Sequence, residues 1–121
     1  SGDFVGVAAK EIEEELGITI SRSTLIPLTP VHTHALWKGV YPSCGVCDEF
    51  IGYYLVRKKC TPEELRGYEG RLTGNREEGE KITLKMVKLD ALPDETPDGK
   101  AFVALALYER AKRKGLIPPL D

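Results

Sequence analysis

Between Asp3 and Leu16 the apolar residues Val5, Ala9, Ile12 and Leu16 recur at steps of three and four, the spacing of one helix face. Asp3 is placed to cap the start of that helix and Gly17 to stop it. Ile18 to Pro30, rich in Ile, Ser and Thr and carrying Pro27 and Pro30, predicts a short strand with loop on either side. From His32 to Glu49 the periodicity is lost. Gly39, Pro42 and Gly45 mark a long loop there, with a short strand around Ala35 to Trp37. Phe50 to Lys58, rich in Tyr, Ile and Val, predicts a strand. Thr61-Pro62-Glu63-Glu64 has the form of a capping box, opening a short helix to about Gly67. A polar, acidic loop from Gly70 to Lys81 follows, then a strand on the alternating Ile82, Leu84 and Met86. Asp94 to Gly99 reads as turn, and Ala101 to Lys114 as an amphipathic helix with a basic end, stopped by Gly115. Helices alternating with strands in this order predict an α/β sandwich in one domain.

Composition narrows the function classes. The 121 residues are 41% apolar and 30% charged, the balance of a globular chain with a modest core. Seventeen basic against 19 acidic residues leave a formal charge of −2, which disfavours binding to a phosphate backbone. No apolar run approaches the roughly 20 residues that span a bilayer, so neither nucleic acid nor membrane is an expected partner. Three cysteines, Cys44, Cys47 and Cys60, are too few for a disulfide framework and fit a reducing, cytoplasmic compartment.

The first helix carries the chemistry. At about 100° per residue, Glu11, Glu14 and Glu15 fall within an arc of roughly 100°, while the apolar face is centred roughly 140° away. Like charges three and four residues apart weaken a helix by a few tenths of a kcal/mol per pair. A divalent cation reverses that sign, because carboxylate oxygens are hard ligands for Mg²⁺. A solvated acidic face is the alternative.

Lys10-Glu11-Ile12-Glu13-Glu14-Glu15-Leu16-Gly17-Ile18 resembles the core of the Nudix box, Arg-Glu-apolar-any-Glu-Glu-any-Gly-apolar, departing only at Lys10. Gly2-Asp3-Phe4-Val5-Gly6 before it is similar to the lead-in of ADP-sugar and ADP-ribose diphosphatases, the plant-type ADP-sugar enzymes in particular. The full box begins upstream of Ser1 and has a glutamate where Gly2 stands, so the resemblance implies an α/β/α Nudix sandwich with a mixed sheet that lacks its N-terminal strands. Tyr41 to Glu49 resembles the family's Ser-Pro-Gly loop and its following glutamate, with Cys44 in place of proline and Val46 in place of a second glycine. Thr73 to Ile82 resembles the loop that supplies a late catalytic glutamate, and Ala101 to Gly115 the closing helix.

The resemblance implies a hydrolase that cleaves the diphosphate of ADP-ribose or an ADP-sugar to AMP and a sugar phosphate, with Mg²⁺ or Mn²⁺. Glu11 and Glu15 are the expected principal metal ligands, and Glu14 a second-metal ligand or catalytic helper. Glu78 or Glu80 is the late base or ligand, with Glu80 preferred as ligand because it abuts a strand and Glu78 as base. Ser43, Gly45, Glu49 and Arg76 are expected at the substrate, Arg76 either on a phosphate or paired with Glu77 or Glu78. Lys10 is expected in an ion pair with a carboxylate of the box. The nucleoside diphosphate sugar is the expected partner molecule, and a homodimer the expected assembly. An organelle or plastid location follows if a transit peptide has been removed.

Alternatives remain open at this level: a Nudix-fold binding protein or inactive fragment, or a diphosphatase for UDP-sugars, NADH or coenzyme A. Cys44 and Cys47 with His32 and His34 offer zinc-ligand types, but the step from His34 to Cys44 matches no zinc pattern. A redox role for Cys44 and Cys47 lacks the βαβ context that would support it, and the cysteines are read instead as small apolar residues packed in a substrate loop. Trp37 and Tyr41 are read as core or rim aromatics, with adenine stacking as the alternative.

Overall fold

The computed structural model describes residues 4–29, 39–74 and 76–119, and divides into two units: Ser1–Leu25 with Arg57–Lys88, and Ile26–Val56 with Leu89–Asp121. Asp3, His32, His34 and the expected strand at 35–37 with Trp37 lie outside the described residues.

In the first unit, helix α1 runs over Phe4–Leu16 and stops where Gly17 takes φ 70°. Val5, Ala9, Ile12 and Leu16 are all half-buried, the face their spacing predicts. Helix α2, Pro62–Tyr68, has the expected capping box: the Glu64 amide donates to Thr61 Oγ1 at 3.1 Å and the Thr61 amide to Glu64 Oε1 at 3.2 Å. Two orphan donors of the first turn are satisfied reciprocally. A hairpin follows α2. Strands Leu72–Thr73 and Ile82–Thr83, β3 and β4 of the chain, pair antiparallel with Leu72 opposite Thr83 and Thr73 opposite Ile82. The Leu84 amide donating to the Arg71 carbonyl and the Gly70 amide to the Leu84 carbonyl, each at 2.9 Å, extend the ladder.

The second unit opens with β1, Ile26–Pro27, paired antiparallel with β2, Tyr54–Leu55. Val40 and Ile51 form a further isolated bridge. Helix α3 spans Leu92–Glu95 and α4 spans Gly99–Arg113. Asp98 caps α4, accepting from the Lys100 amide at 3.0 Å, and Gly115 ends it at φ 68°. Leu28, Tyr53, Leu107 and Ala111 are buried together, with Val103, Ala104, Tyr108 and Ile51 packed around them.

Several expectations are corrected. The strand at Phe50–Lys58 contracts to Tyr54–Leu55, and that at Ile82–Met86 to Ile82–Thr83. Residue types set extended backbone, but a ladder needs a partner in register. Pro27 has no N–H to give to β2. The Met86 amide is taken by the Glu69 carboxylate at 2.6 Å, where the facing chain has already left α2. The polar stretch Gly70–Lys81, expected as loop, contains β3 and a 3₁₀ turn at Arg76–Glu78. The turn at Asp94–Gly99 gives way to the end of α3 and the start of α4. Among the described residues the sheets are two-stranded, so the structure is a mix of helices and small sheets, consistent with the expected sandwich without displaying it.

Candidate metal centre

The C-terminal end of α1 is held by the β3–β4 hairpin. A helix leaves its last carbonyls without intrahelical partners. Here the Gly17 amide donates to the Glu13 carbonyl at 2.9 Å, the Gly74 amide to the Glu14 carbonyl at 3.0 Å, and the Thr73 hydroxyl to the Glu15 carbonyl. Three consecutive carbonyls are satisfied, two of them by residues at the mouth of the acidic loop. Those bonds fasten the loop to the residues whose side chains carry the carboxylates.

The consequence is read on Glu15. Its carboxyl is raised above the ordinary value, first by partial desolvation, then by the Glu11 and Glu80 charges, a hydrogen bond with Glu11, and the Glu14 charge. Glu11 and Glu14 come from the same helix, as their spacing predicts. Glu80 comes from the loop, and the hairpin brings it within electrostatic reach. Gly74 makes this approach possible. It adopts φ 94°, and a Cβ there would lie 3.0 Å from the Glu80 carbonyl oxygen and 3.2 Å from Glu80 Cγ. Only glycine serves where backbone must approach so closely with positive φ.

Glu15 and the three carboxylates around it, all of one sign, are a donor set suited to a hard divalent cation. In this arrangement they converge as charges; among the described residues no three of them close at ligating distance. Lys10 Nζ lies 3.8 Å from Glu14 Oε1, the ion pair expected, and being exposed it is worth little to stability. On the Lys10 side of α1 an open cavity of about 650 Å³ is lined by Lys10, Glu14, Arg71, Thr73 and Gly74 among others. The Arg71 guanidinium sits over the Tyr68 ring, 4.7 Å from its centroid. Glu78 is exposed on the 3₁₀ turn of the loop.

The expected substrate loop belongs to the second unit. Ser43, Gly45 and Glu49 are all exposed. The Ser43 carbonyl accepts from the Val46 amide at 3.1 Å and the Cys47 amide at 2.9 Å, giving one tight turn. Gly45, with Tyr41, Cys44, Val46, Cys47 and Asp48, lines an open cavity of about 580 Å³. Tyr41 is a rim residue, its ring against that of Phe50 with centroids 4.8 Å apart and planes tilted by 37°. Cys44 and Cys47 are exposed, which overturns the reading of both as packed apolar residues. The Arg76 side chain lies outside the described part of the structure. Thr73 and Gly74 are the positioning residues that sequence reasoning missed. A Thr-Gly pair ahead of an acidic loop has no periodicity to betray its role.

Over 116 residues, 96% of its length, the chain is 37% identical to "Nudix hydrolase 14, chloroplastic" of Arabidopsis thaliana, and it spans 38% of that protein. No protein-family model matches the chain. No solved structure matches it either. The similarity to the Arabidopsis protein takes in the string Lys10 to Ile18 and extends along nearly the whole chain.

Proposed function

We propose that this chain carries the metal-binding and catalytic portion of a Nudix hydrolase that cleaves ADP-ribose or ADP-sugars to AMP and a sugar phosphate. The observation that supports the reading best is the placement of Glu11, Glu14 and Glu80 around Glu15. Glu11, Glu15 and Glu80 would hold a divalent cation, Mg²⁺ or Mn²⁺, with Glu14 as second-metal ligand or helper. Such a cation neutralises charge on the diphosphate, whose negative oxygens otherwise repel a nucleophile. Glu78, at the surface of the same loop, takes the proton of the attacking water at its carboxylate oxygen; the water oxygen bonds to one phosphorus as the bridging P–O bond breaks, giving AMP and the sugar phosphate. Ser43, Gly45 and Glu49 contact the sugar-nucleotide, and Arg76 a phosphate. A homodimer is part of this proposal, as is an organellar site for the protein, since the Arabidopsis relative is named chloroplastic. Among the described residues no helix is long and apolar enough to cross a membrane.

The test incubates the full-length protein and Mg²⁺ with ADP-ribose, ADP-glucose, UDP-glucose and NADH, and measures released nucleoside monophosphate. Preference for the two adenine diphosphate sugars is expected. Equal or greater turnover of UDP-glucose or NADH would overturn the substrate assignment. Retention of ADP-ribose without product would favour the binding-protein reading.

A further inference from the structure

Cys44 and Cys47 are two exposed thiols that the hydrolytic reading does not use. They stand three residues apart in the turn whose Val46 and Cys47 amides both donate to the Ser43 carbonyl. The second of these bonds spans four residues, the step of an α-helical turn, so both cysteines fall within one short turn of α-helical pitch. Both line the same open cavity. We propose that Cys44 and Cys47 form a reversible dithiol–disulfide pair, a modification site whose reaction partner is a small-molecule or protein disulfide.

Geometry favours the pair over either thiol alone. Residues three apart on a helical turn hold their Cβ atoms roughly 5–6 Å apart, against about 3.8 Å in a formed disulfide. Closure asks the turn to tighten by about 2 Å. Gly45 lies between them in open space, with nothing within 4 Å of a Cβ built on it. A bond that must pull its turn tighter and is open to solvent belongs with the labile disulfides, which exchange with cellular thiols, and not with the structural ones.

The chemistry balances by exchange. The thiolate of one cysteine attacks a sulfur of the incoming disulfide, forming a mixed disulfide and releasing one thiolate. The second cysteine's thiolate then attacks the sulfur of the first, and the partner's other thiolate leaves. The two cysteine sulfurs are oxidised, the partner disulfide is reduced to two thiols, and the two cysteine protons end on those thiols. Cys60 is an internal control. It belongs to the first unit, is half-buried, and points its thiol at the Lys58 carbonyl at 3.6 Å.

The experiment equilibrates the reduced full-length protein with mixtures of reduced and oxidised glutathione. Remaining thiols are then alkylated with N-ethylmaleimide and assigned by peptide mass spectrometry. Labelling at Cys44 and Cys47 is expected to disappear together as the oxidised fraction rises, leaving a peptide two hydrogens lighter. Excess dithiothreitol should restore both, and Cys60 should label throughout. In Cys44→Ser the remaining Cys47 should carry a glutathione adduct instead, and in Cys47→Ser the remaining Cys44. Full labelling of both cysteines in the most oxidising mixture, a stable glutathione adduct on either in the wild-type protein, or a disulfide to Cys60 would overturn the proposal. None of these readouts depends on hydrolysis, so the result stands apart from the substrate assignment.

Discussion

The two units of this chain are built on different principles. In the second, Leu28, Tyr53, Leu107 and Ala111 form a buried apolar cluster, and α4 is laid on it with both ends capped. In the first, the described buried residues are few, Leu25, Tyr68 and Thr73, and the apolar face of α1 is only half-buried. Polar bonds do the organising there: a reciprocal capping box on α2, and three carbonyls of α1 satisfied by Gly17, Thr73 and Gly74. The unit with the thinner core carries the four carboxylates whose repulsion opposes folding. Directional hydrogen bonds fix atoms in place where apolar packing would only bury them, and the metal centre we propose needs that fixity.

That contrast predicts which changes hurt function and which hurt stability. The largest effect falls on Glu15→Gln, which should lower metal-dependent turnover of the full-length protein by about 10²–10³-fold, the scale for loss of one preorganised electrostatic group. The same change relieves repulsion in the metal-free protein, so its urea midpoint should hold level or rise. Near-normal turnover, or a clear drop in that midpoint, would show that Glu15 serves the fold and not the metal. Leu107→Ala in the other unit should do the reverse. It is expected to cost about 2–3 kcal/mol by cavity formation, measured by urea unfolding, with turnover of the remaining folded protein little changed.

Gly74→Ala tests the link between hairpin and carboxylates. A methyl there meets the Glu80 carbonyl oxygen at 3.0 Å in a backbone of positive φ, so a cost of about 1–2 kcal/mol is expected. Because Glu80 must shift, half-maximal turnover should need more Mg²⁺, and an unchanged metal requirement would separate Gly74 from the site. The smallest effect belongs to Asp98. Its carboxyl is lowered, first by the hydrogen bond from the Lys100 amide, so the unfolded chain binds the proton more readily than the folded one. The sign follows: the cap's contribution is present at neutral pH and lost as pH falls below about 3.8, through the lowered value. Asp98→Asn, which keeps the cap acceptor, should flatten that acid limb in thermal melts, and an unaltered limb would show that the cap does not titrate.

What could be read from the chain was local. The 3.6-residue spacing of Val5, Ala9, Ile12 and Leu16 set the face of α1, and Gly17 and the Thr61 capping box stand where neighbouring residues require them. Glu11, Glu14 and Glu15 share a face by helix geometry alone, and the string around them carries the resemblance to the Nudix box. Strand lengths were not legible, because Pro27 and the Glu69 carboxylate end ladders through partners distant in sequence. Nor was the exposure of Cys44 and Cys47, which depends on what else covers their turn. Above all, the approach of Glu80 to Glu15 belongs to the tertiary structure. It rests on hydrogen bonds from Thr73 and Gly74 to the end of α1, and on the absence of a side chain at Gly74. Periodicity is a property of neighbours along the chain; convergence of charges from two segments exists only once a hairpin has docked.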